Sequence, residues 1–170
     1  MFRGLKLRQI ILDGLSIALC VIAVAVILVL YNRLPAQLPQ NFGSGGEVTR
    51  YGDKSVIFLL LGVMVLMTGS FSAILRIPAV YRNMNVPWPI PWGRKPLLVD
   101  VCKDMISGIN LCCTLGNVYL LWATLREHLL TWLLWLPYGA SAVGLLWLPY
   151  GASAVVIVWC LVRMRKICKS

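Results

Sequence analysis

Charged residues are scarce in this chain of 170 residues. They make up 13% of it, and Asp and Glu together number only 6, whereas a soluble domain carries about 25% charged residues. Apolar residues reach 59%, and the mean hydropathy is +0.80. A globule this small cannot bury so much apolar surface, because exposed area grows almost as fast as mass. The composition therefore excludes an ordinary soluble domain and predicts a membrane protein.

Histidine is nearly absent, which narrows the chemistry available to the chain. His128 is the only one, so a bis-histidine haem cannot form within one chain. No Walker loop, HExxH, GxSxG or paired-carboxylate pattern occurs. The six cysteines lie in apolar runs or beside basic residues, which argues against a disulfide framework. The sequence therefore predicts a protein that is not an enzyme and has no cofactor and no metal site.

Long apolar runs are what the chain has instead, and they predict an all-α polytopic membrane protein with four transmembrane helices in one domain. The predicted spans lie at about residues 10–31, 55–75, 105–125 and 129–162. A structured outer loop at 32–54 and a Pro- and Trp-rich cytoplasmic loop at 76–98 separate the first three. Asp13 falls in the first turn of the first span, where we expect it near the lipid headgroups.

Basic residues mark the orientation of these spans. Four spans place twelve of the 16 Lys and Arg residues on the side of both termini and four on the other side. Because basic residues stay in the cytoplasm, both termini are predicted to lie on the cytoplasmic side of a bacterial cell membrane. The net charge of +10 is thus a topology signal. No basic stripe interleaved with aromatics lies on a polar face, so the partner is the lipid bilayer and not nucleic acid.

The last apolar run contains a tandem duplication. LLWLPYGASAV occupies residues 133–143 and recurs letter for letter at 145–155. With both copies, a straight helix would be about 51 Å long, against a hydrocarbon core of about 30 Å. Either one kinked helix or a re-entrant hairpin would absorb the excess. A hairpin would move the basic C-terminus outside, so charge favours one crossing.

The third span carries a polar face. Its polar residues recur at steps of three and four, which places them on one side of a helix. They are Asp100, Lys103, Ser107, Asn110, Thr114 and Asn117. Polar groups at membrane depth face a neighbouring helix or a wet cavity. This face is therefore either a hydrogen-bonded packing seam or the wall of a polar path, as in a small transporter.

The outer loop carries the clearest motif of the chain. Its elements are an L-P-x-x-L-P step, a phenylalanine, a Gly-Glu pair, an aromatic-Gly pair and a lysine that opens the next span. The residues are Leu34, Pro35, Leu38, Pro39, Phe42, Gly46, Glu47, Tyr51, Gly52 and Lys54. The two x-Pro steps extend the backbone, the glycines permit tight turns, and the lysine is expected to snorkel. Phe42 and Tyr51 are expected to press onto the membrane interface.

This loop resembles the N-terminal membrane module of the SdpI-like immunity protein family, a module that also occurs alone as a bacterial domain of unknown function. The family's histidine and aspartate are replaced here by Asn41 and Thr49. A metal-binding or titrating pair at those positions is therefore lost. The resemblance implies an immunity or signalling protein whose outer loop meets an extracellular, membrane-active peptide.

A different class of function stays open. Gly69 and Ala73 lie one turn apart in the second span and would let another helix approach closely. This spacing, together with the Trp-rich last segment, is compatible with an accessory subunit that packs against other membrane protein subunits.

Overall fold

The computed structural model describes residues 4–43, 46–82, 93–126 and 148–169. In chain order its elements are α1 (Leu7–Leu30), β1 (Gln37–Phe42), β2 (Val48–Asp53), α2 (Val56–Arg76), α3 (Pro78–Arg82), α4 (Lys95–Arg126) and α5 (Leu148–Lys169). A 3-10 turn, Tyr31–Arg33, follows α1. The described chain is mostly helical, and its one sheet is the antiparallel hairpin of β1 and β2.

Three of the described helices are long and apolar enough to cross a membrane. They are α1 with its 3-10 turn, α2 and α4. The chain is therefore compatible with a multi-pass membrane protein, as its composition predicts. Of the predicted fourth span, only α5 is described. His128, the first copy of the duplication and the centre of the Pro- and Trp-rich loop, residues 83–92, lie outside the described residues.

Helix α4, which corresponds to the predicted third span, is longer than that span. It begins at Lys95, about ten residues before the expected start, so the predicted loop at 76–98 ends too late. Pro96 is tolerated in the first turn of a helix, because the N–H it lacks has no partner there. Asp100 and Asp104 form ion pairs with basic residues of other segments, so their charges do not end the helix. α3 occupies a further part of the predicted loop.

The helix α4 organises the molecule. It packs against α1, α2 and α5. Lys6, just before α1, pairs with Asp100 near the start of α4 at 2.7 Å. Arg94, just before α4, donates to the Ile167 carbonyl near the end of α5 at 3.0 Å. The start of α1, the start of α4 and the end of α5 therefore meet at one end of the bundle, called here the basic end.

The hairpin lies at the opposite end of the bundle, called here the hairpin end. An apolar cluster joins β1 to α1, α2 and α4 there, and its buried members are Cys20, Ile27, Leu38, Ile57, Leu61, Met64 and Leu121. A second cluster at the basic end joins α4 to α5 through Leu98, Val101, Cys160 and Met164. Between the two clusters, the interface of α1, α2 and α4 is polar.

Candidate functional site

The hairpin is held against the helices through one strand. Leu38 of β1 is only 1% exposed. It lies in the hairpin-end cluster with Ile27 of α1, Ile57 of α2 and Leu121 of α4. β2 contains no buried residue. The hairpin therefore has one strand seated on the bundle and one strand facing outward.

At two positions of this loop, an exposed side chain lies across a glycine and would have to move if a Cβ were added. The Gln40 amide lies across Gly52, so a Cβ there would come within 1.8 Å of Gln40 Nε2. Glu47 covers Gly43 in the same way, and a Cβ at Gly43 would lie 2.1 Å from Glu47 Oε1. Gly46 has a φ of 84°, which glycine adopts at no steric cost. The Gly-Glu and aromatic-Gly pairs of the motif thus serve the packing of the hairpin.

An aromatic and cationic corner fixes the hairpin to the ends of α1 and α2. The ring centroids of Tyr31 and Phe58 are 4.7 Å apart. Lys54 Nζ lies over the Tyr31 ring, 4.6 Å from its centroid, which is a favourable cation–π distance. The Lys54 amide also donates to the Ala36 carbonyl at 3.2 Å. Lys54, the lysine that was expected to snorkel, therefore connects the base of the hairpin to the end of α1.

Asp53 connects β2 to the start of α2. Its Oδ1 accepts a hydrogen bond from the Ser55 amide at 2.7 Å. This bond to the backbone holds the pKa of Asp53 below its usual range. The carboxylate is therefore charged at neutral pH and lies beside the positive end of the α2 dipole.

Below the hairpin-end cluster, one buried carboxylate links three helices. Asp13 of α1 is 1% exposed. Its Oδ1 accepts from Ser72 Oγ of α2 at 2.5 Å and from Asn110 Nδ2 of α4 at 3.2 Å. Its Oδ2 lies 2.7 Å from Arg76 Nη2 of α2. We call these four residues the polar junction.

The electrostatics of the polar junction depend on Arg76. A buried charge is costly unless it is paired and hydrogen-bonded. The side chain of Arg76 is 53% exposed, whereas that of Asp13 is 1% exposed. The guanidinium therefore stays in contact with solvent while it neutralises a carboxylate that is shielded from solvent. Arg76 Nη1 also donates to the Ser72 carbonyl at 2.6 Å, which fixes its direction.

The polar interface ends one turn closer to the hairpin. Thr68 Oγ1 and Thr114 Oγ1 are hydrogen-bonded at 3.0 Å, and Thr114 Oγ1 is also bonded to the Asn110 carbonyl at 2.9 Å. Beyond this pair, the interior is the apolar hairpin-end cluster. The described residues therefore form a polar interface that is closed by apolar packing on the hairpin side.

Asp104 connects three helices at the basic end. Its carboxylate pairs with Arg8 of α1 and accepts from Gln9 Nε2 at 2.7 Å. Arg163 of α5 lies 3.2 Å from the same carboxylate. Both arginines keep a large part of their side chains in solvent, 47% and 39%. Asp104 therefore ties both terminal helices to α4.

We expect Asp104→Asn to lower the free energy of unfolding by about 1–2 kcal/mol, because it weakens charge-assisted hydrogen bonds to partners that water can still reach. Amide hydrogen exchange in bicelles should rise at the start of α1 and at the end of α5 together. Arg165→Ala, an exposed change on the same turn of α5, is the control. Faster exchange in only one of the two helices would contradict the role of Asp104 as a link between them.

The polar face expected on the third span faces the interior of the bundle. Five of its six residues are buried: Asp100, Lys103, Ser107, Asn110 and Thr114. Asn117 is half-buried and donates to a carbonyl of its own helix. Lys103 Nζ lies 5.4 Å from the centre of the Tyr81 ring, and burial raises the pKa of Tyr81 to about 12. These contacts between helices favour a packing seam over an open path.

The outer-loop residues divide between structural and exposed positions. Leu34 and Leu38 pack in the hairpin-end cluster, and Pro39 is buried beside them. Phe42 is half-buried, whereas Tyr51 is 48% exposed. Pro35, Asn41 and Glu47 are exposed. Both strands therefore contribute to the exposed surface of the hairpin, and β2 differs in having no buried residue.

The residue whose partners sequence reasoning missed is Asp13. It was expected near the headgroups, and the structure shows it buried at the centre of the polar junction. A signal was present in the sequence: Gln9, Asp13, Ser16 and Cys20 recur at steps of four and three, and all four are buried. A polar stripe on α1 that matches the one on α4 indicates that the two helices face each other.

A protein-family model, described as a domain of unknown function (DUF1648), matches residues 18–65. The match covers the second half of α1, the whole hairpin and the first half of α2. The chain is thus similar to this family over the hairpin and the adjoining halves of its first two spans. No curated protein and no solved structure matches the chain.

Proposed function

We propose that this chain is a non-enzymatic receptor of the bacterial cell membrane, similar to SdpI-like immunity and signalling proteins, whose hairpin recognises a membrane-active peptide. The observation that carries the proposal is the seating of Leu38, 1% exposed among three helices. It turns the loop into a rigid platform that presents β2. The family match extends over this same segment.

The charge distribution supports an outward-facing hairpin. Described basic residues at the basic end outnumber those near the hairpin. The first group is Lys6, Arg8, Arg76, Arg82, Arg94, Lys95, Lys103, Arg163, Arg165, Lys166 and Lys169, and the second is Arg33, Arg50, Lys54 and Arg126. By the positive-inside rule, the basic end lies in the cytoplasm. In the predicted arrangement of four spans, α5 forms the end of the last span.

The exposed surface suits a peptide that approaches along the bilayer. Tyr51 offers an aromatic side chain that is 48% exposed, and Arg50 beside it is exposed. Aromatic and arginine side chains dominate the energetics of protein interfaces. Phe42 stands half-buried at the tip of β1, so its ring both supports the hairpin and contributes to the surface.

The test is protection in a living cell. A bacterium sensitive to a membrane-active peptide toxin is made to express the chain, and its growth is measured as the peptide concentration rises. We expect the wild type to raise the inhibitory concentration. Tyr51→Ala and Phe42→Ala should lose at least half of that gain, and Thr49→Ala, exposed on the same strand, should keep it. If a panel of such toxins yields no protection, or both aromatic variants protect fully, the receptor proposal is wrong.

An accessory subunit of a larger membrane complex is the second candidate, and one observation favours it. A Cβ added at Gly62 or Gly69 of α2 would meet no atom of the described residues within 4 Å. The face with Gly69 and Ala73 is therefore open to a helix from another subunit. Native mass measurement after mild detergent extraction separates the candidates: a stoichiometric larger partner favours the subunit, and a lone monomer or dimer favours the receptor.

A further inference from the structure

The outer edge of β2 is left without a paired strand by the described residues. β1 packs against α4 and inserts Leu38 into the bundle, so it lies between the helices and β2. β2 contains no proline and no buried residue. The edge of a strand is a row of unpaired N–H and C=O groups, which is a template for another extended chain. Within the described residues, nothing pairs with this edge.

The register shows which backbone groups point outward. The Lys54 amide donates to the Ala36 carbonyl at 3.2 Å, which makes these two a hydrogen-bonded pair. Bonded and non-bonded pairs alternate along an antiparallel ladder. Pro39 and Tyr51 are therefore a non-bonded pair, in agreement with the missing N–H of proline. The amide and carbonyl of Tyr51 consequently point away from β1.

Asp53 lies opposite Gln37, two residues along the ladder from the pair of Pro39 and Tyr51. By the same alternation, Asp53 and Gln37 are also a non-bonded pair. Asp53 and Tyr51 thus present two amides and two carbonyls on the free edge, with the spacing of one strand repeat. Both residues precede α2, which begins at Val56. Near the hydrocarbon boundary, unpaired backbone groups lose part of their hydration, so pairing them is worth more than in open water.

The side chains beside this edge determine which peptide fits. Arg50 is exposed and has no ion-pair partner among the described residues. The Tyr51 ring is 48% exposed. A cation and an aromatic ring on one short strand complement a peptide that carries a carboxylate next to an apolar residue.

We propose that the outer edge of β2, at Tyr51 and Asp53, binds an extended stretch of the peptide as a third strand, with a peptide carboxylate held by Arg50. The peptide's backbone supplies the hydrogen bonds and its alternate side chains supply the specificity, as in other cases of strand addition. This inference rests on the proposed receptor function and specifies how the ligand is held.

The experiment uses the full chain in lipid nanodiscs. The probe is an octapeptide of alternating valine and glutamate with an N-terminal palmitoyl group, which brings it to the bilayer surface. Binding is followed by fluorescence of a labelled probe and by hydrogen exchange of the Tyr51 and Asp53 amides. We expect both amides to exchange at least tenfold more slowly with the probe than without it.

Matched variants separate the backbone from the side chain. Tyr51→Ala removes only the ring, whereas Tyr51→Pro also removes the outward N–H. We expect Tyr51→Pro to weaken binding about tenfold more than Tyr51→Ala, and Thr49→Ala to bind as the wild type does. Arg50→Glu should bind the valine–glutamate probe at least tenfold more weakly and prefer a valine–lysine probe. This reversal tests the carboxylate contact even if the proline variant loses the hairpin.

Three outcomes would overturn the edge proposal. The Tyr51 and Asp53 amides could be protected before any probe is added, which would mean that the chain covers its own edge. The probe could bind without slowing their exchange, or Tyr51→Pro could fold and bind as well as Tyr51→Ala. If cells are still protected in a Tyr51- and Phe42-dependent way, the receptor function stands without strand addition. If the probe binds the edge but no toxin is resisted, the receptor function fails and the edge remains a peptide site.

Discussion

Removing Arg76 is expected to destabilise the protein by about 3–5 kcal/mol, the cost of leaving a buried charge without its partner. Asp13 is 1% exposed, and Arg76 Nη2 is the cation 2.7 Å from its Oδ2. Ser72 and Asn110 remain as donors in Arg76→Ala, but both bond to Oδ1. They cannot replace the charge that faces Oδ2. The free energy of unfolding is measured by titrating SDS into the protein in mixed micelles.

A double-mutant cycle tests whether the effect belongs to the pair. Asp13→Leu combined with Arg76→Leu removes both charges, and a buried pair replaced by apolar residues is often tolerated. We therefore expect the double variant to be at least about 1 kcal/mol more stable than Arg76→Leu alone. Arg82→Ala, an exposed arginine of the same end, is the control and should change stability by less than about 0.5 kcal/mol. If Arg76→Ala behaves like Arg82→Ala, the junction contributes nothing to stability.

The helices could be predicted from the sequence because bilayer thickness sets the length of an apolar run. The expected spans at 10–31 and 55–75 lie within two or three residues of α1 with its turn and of α2. The start of α4 was misplaced for a physical reason. The charged residues before position 105 were left outside the predicted span, but Asp100 and Asp104 are ion-paired within the helix.

The hairpin and the polar junction could not be predicted in the same way. Val48, Thr49 and Tyr51 have β-forming side chains, but the strand is too short to show a clear alternation, and proline in β1 argues against a strand. β1 tolerates Pro39 because that residue occupies a non-bonded pair. The hydrogen-bonded partners that lie on different helices of the polar junction are between 38 and 97 residues apart in sequence. Spacing along one helix shows a polar face, but it does not show what the face meets.

Leu38 joins the exposed hairpin to the membrane-spanning helices. Its side chain is buried in one apolar cluster with Ile27, Ile57 and Leu121. The polar interface begins at Thr68 and Thr114, on the same two helices α2 and α4 that contact Leu38. Because β2 contains no buried residue, the hairpin reaches the interior of the bundle through β1 and its buried side chain, Leu38. Truncating it therefore tests both the stability of the fold and the seating of the platform.

Leu38→Ala is expected to cost about 2–5 kcal/mol, the range for large-to-small changes at fully buried sites. Because the lost contacts hold the hairpin to the helices, exchange at the β1 and β2 amides should rise more than exchange in α4. The same variant should lose protection against peptide toxins although it leaves β2 unchanged. Gln37→Ala, the exposed neighbour on the same strand, should change stability by less than about 0.5 kcal/mol. A Leu38→Ala protein as stable as Gln37→Ala, with unchanged hairpin exchange, would show that the hairpin does not depend on the helices for its position.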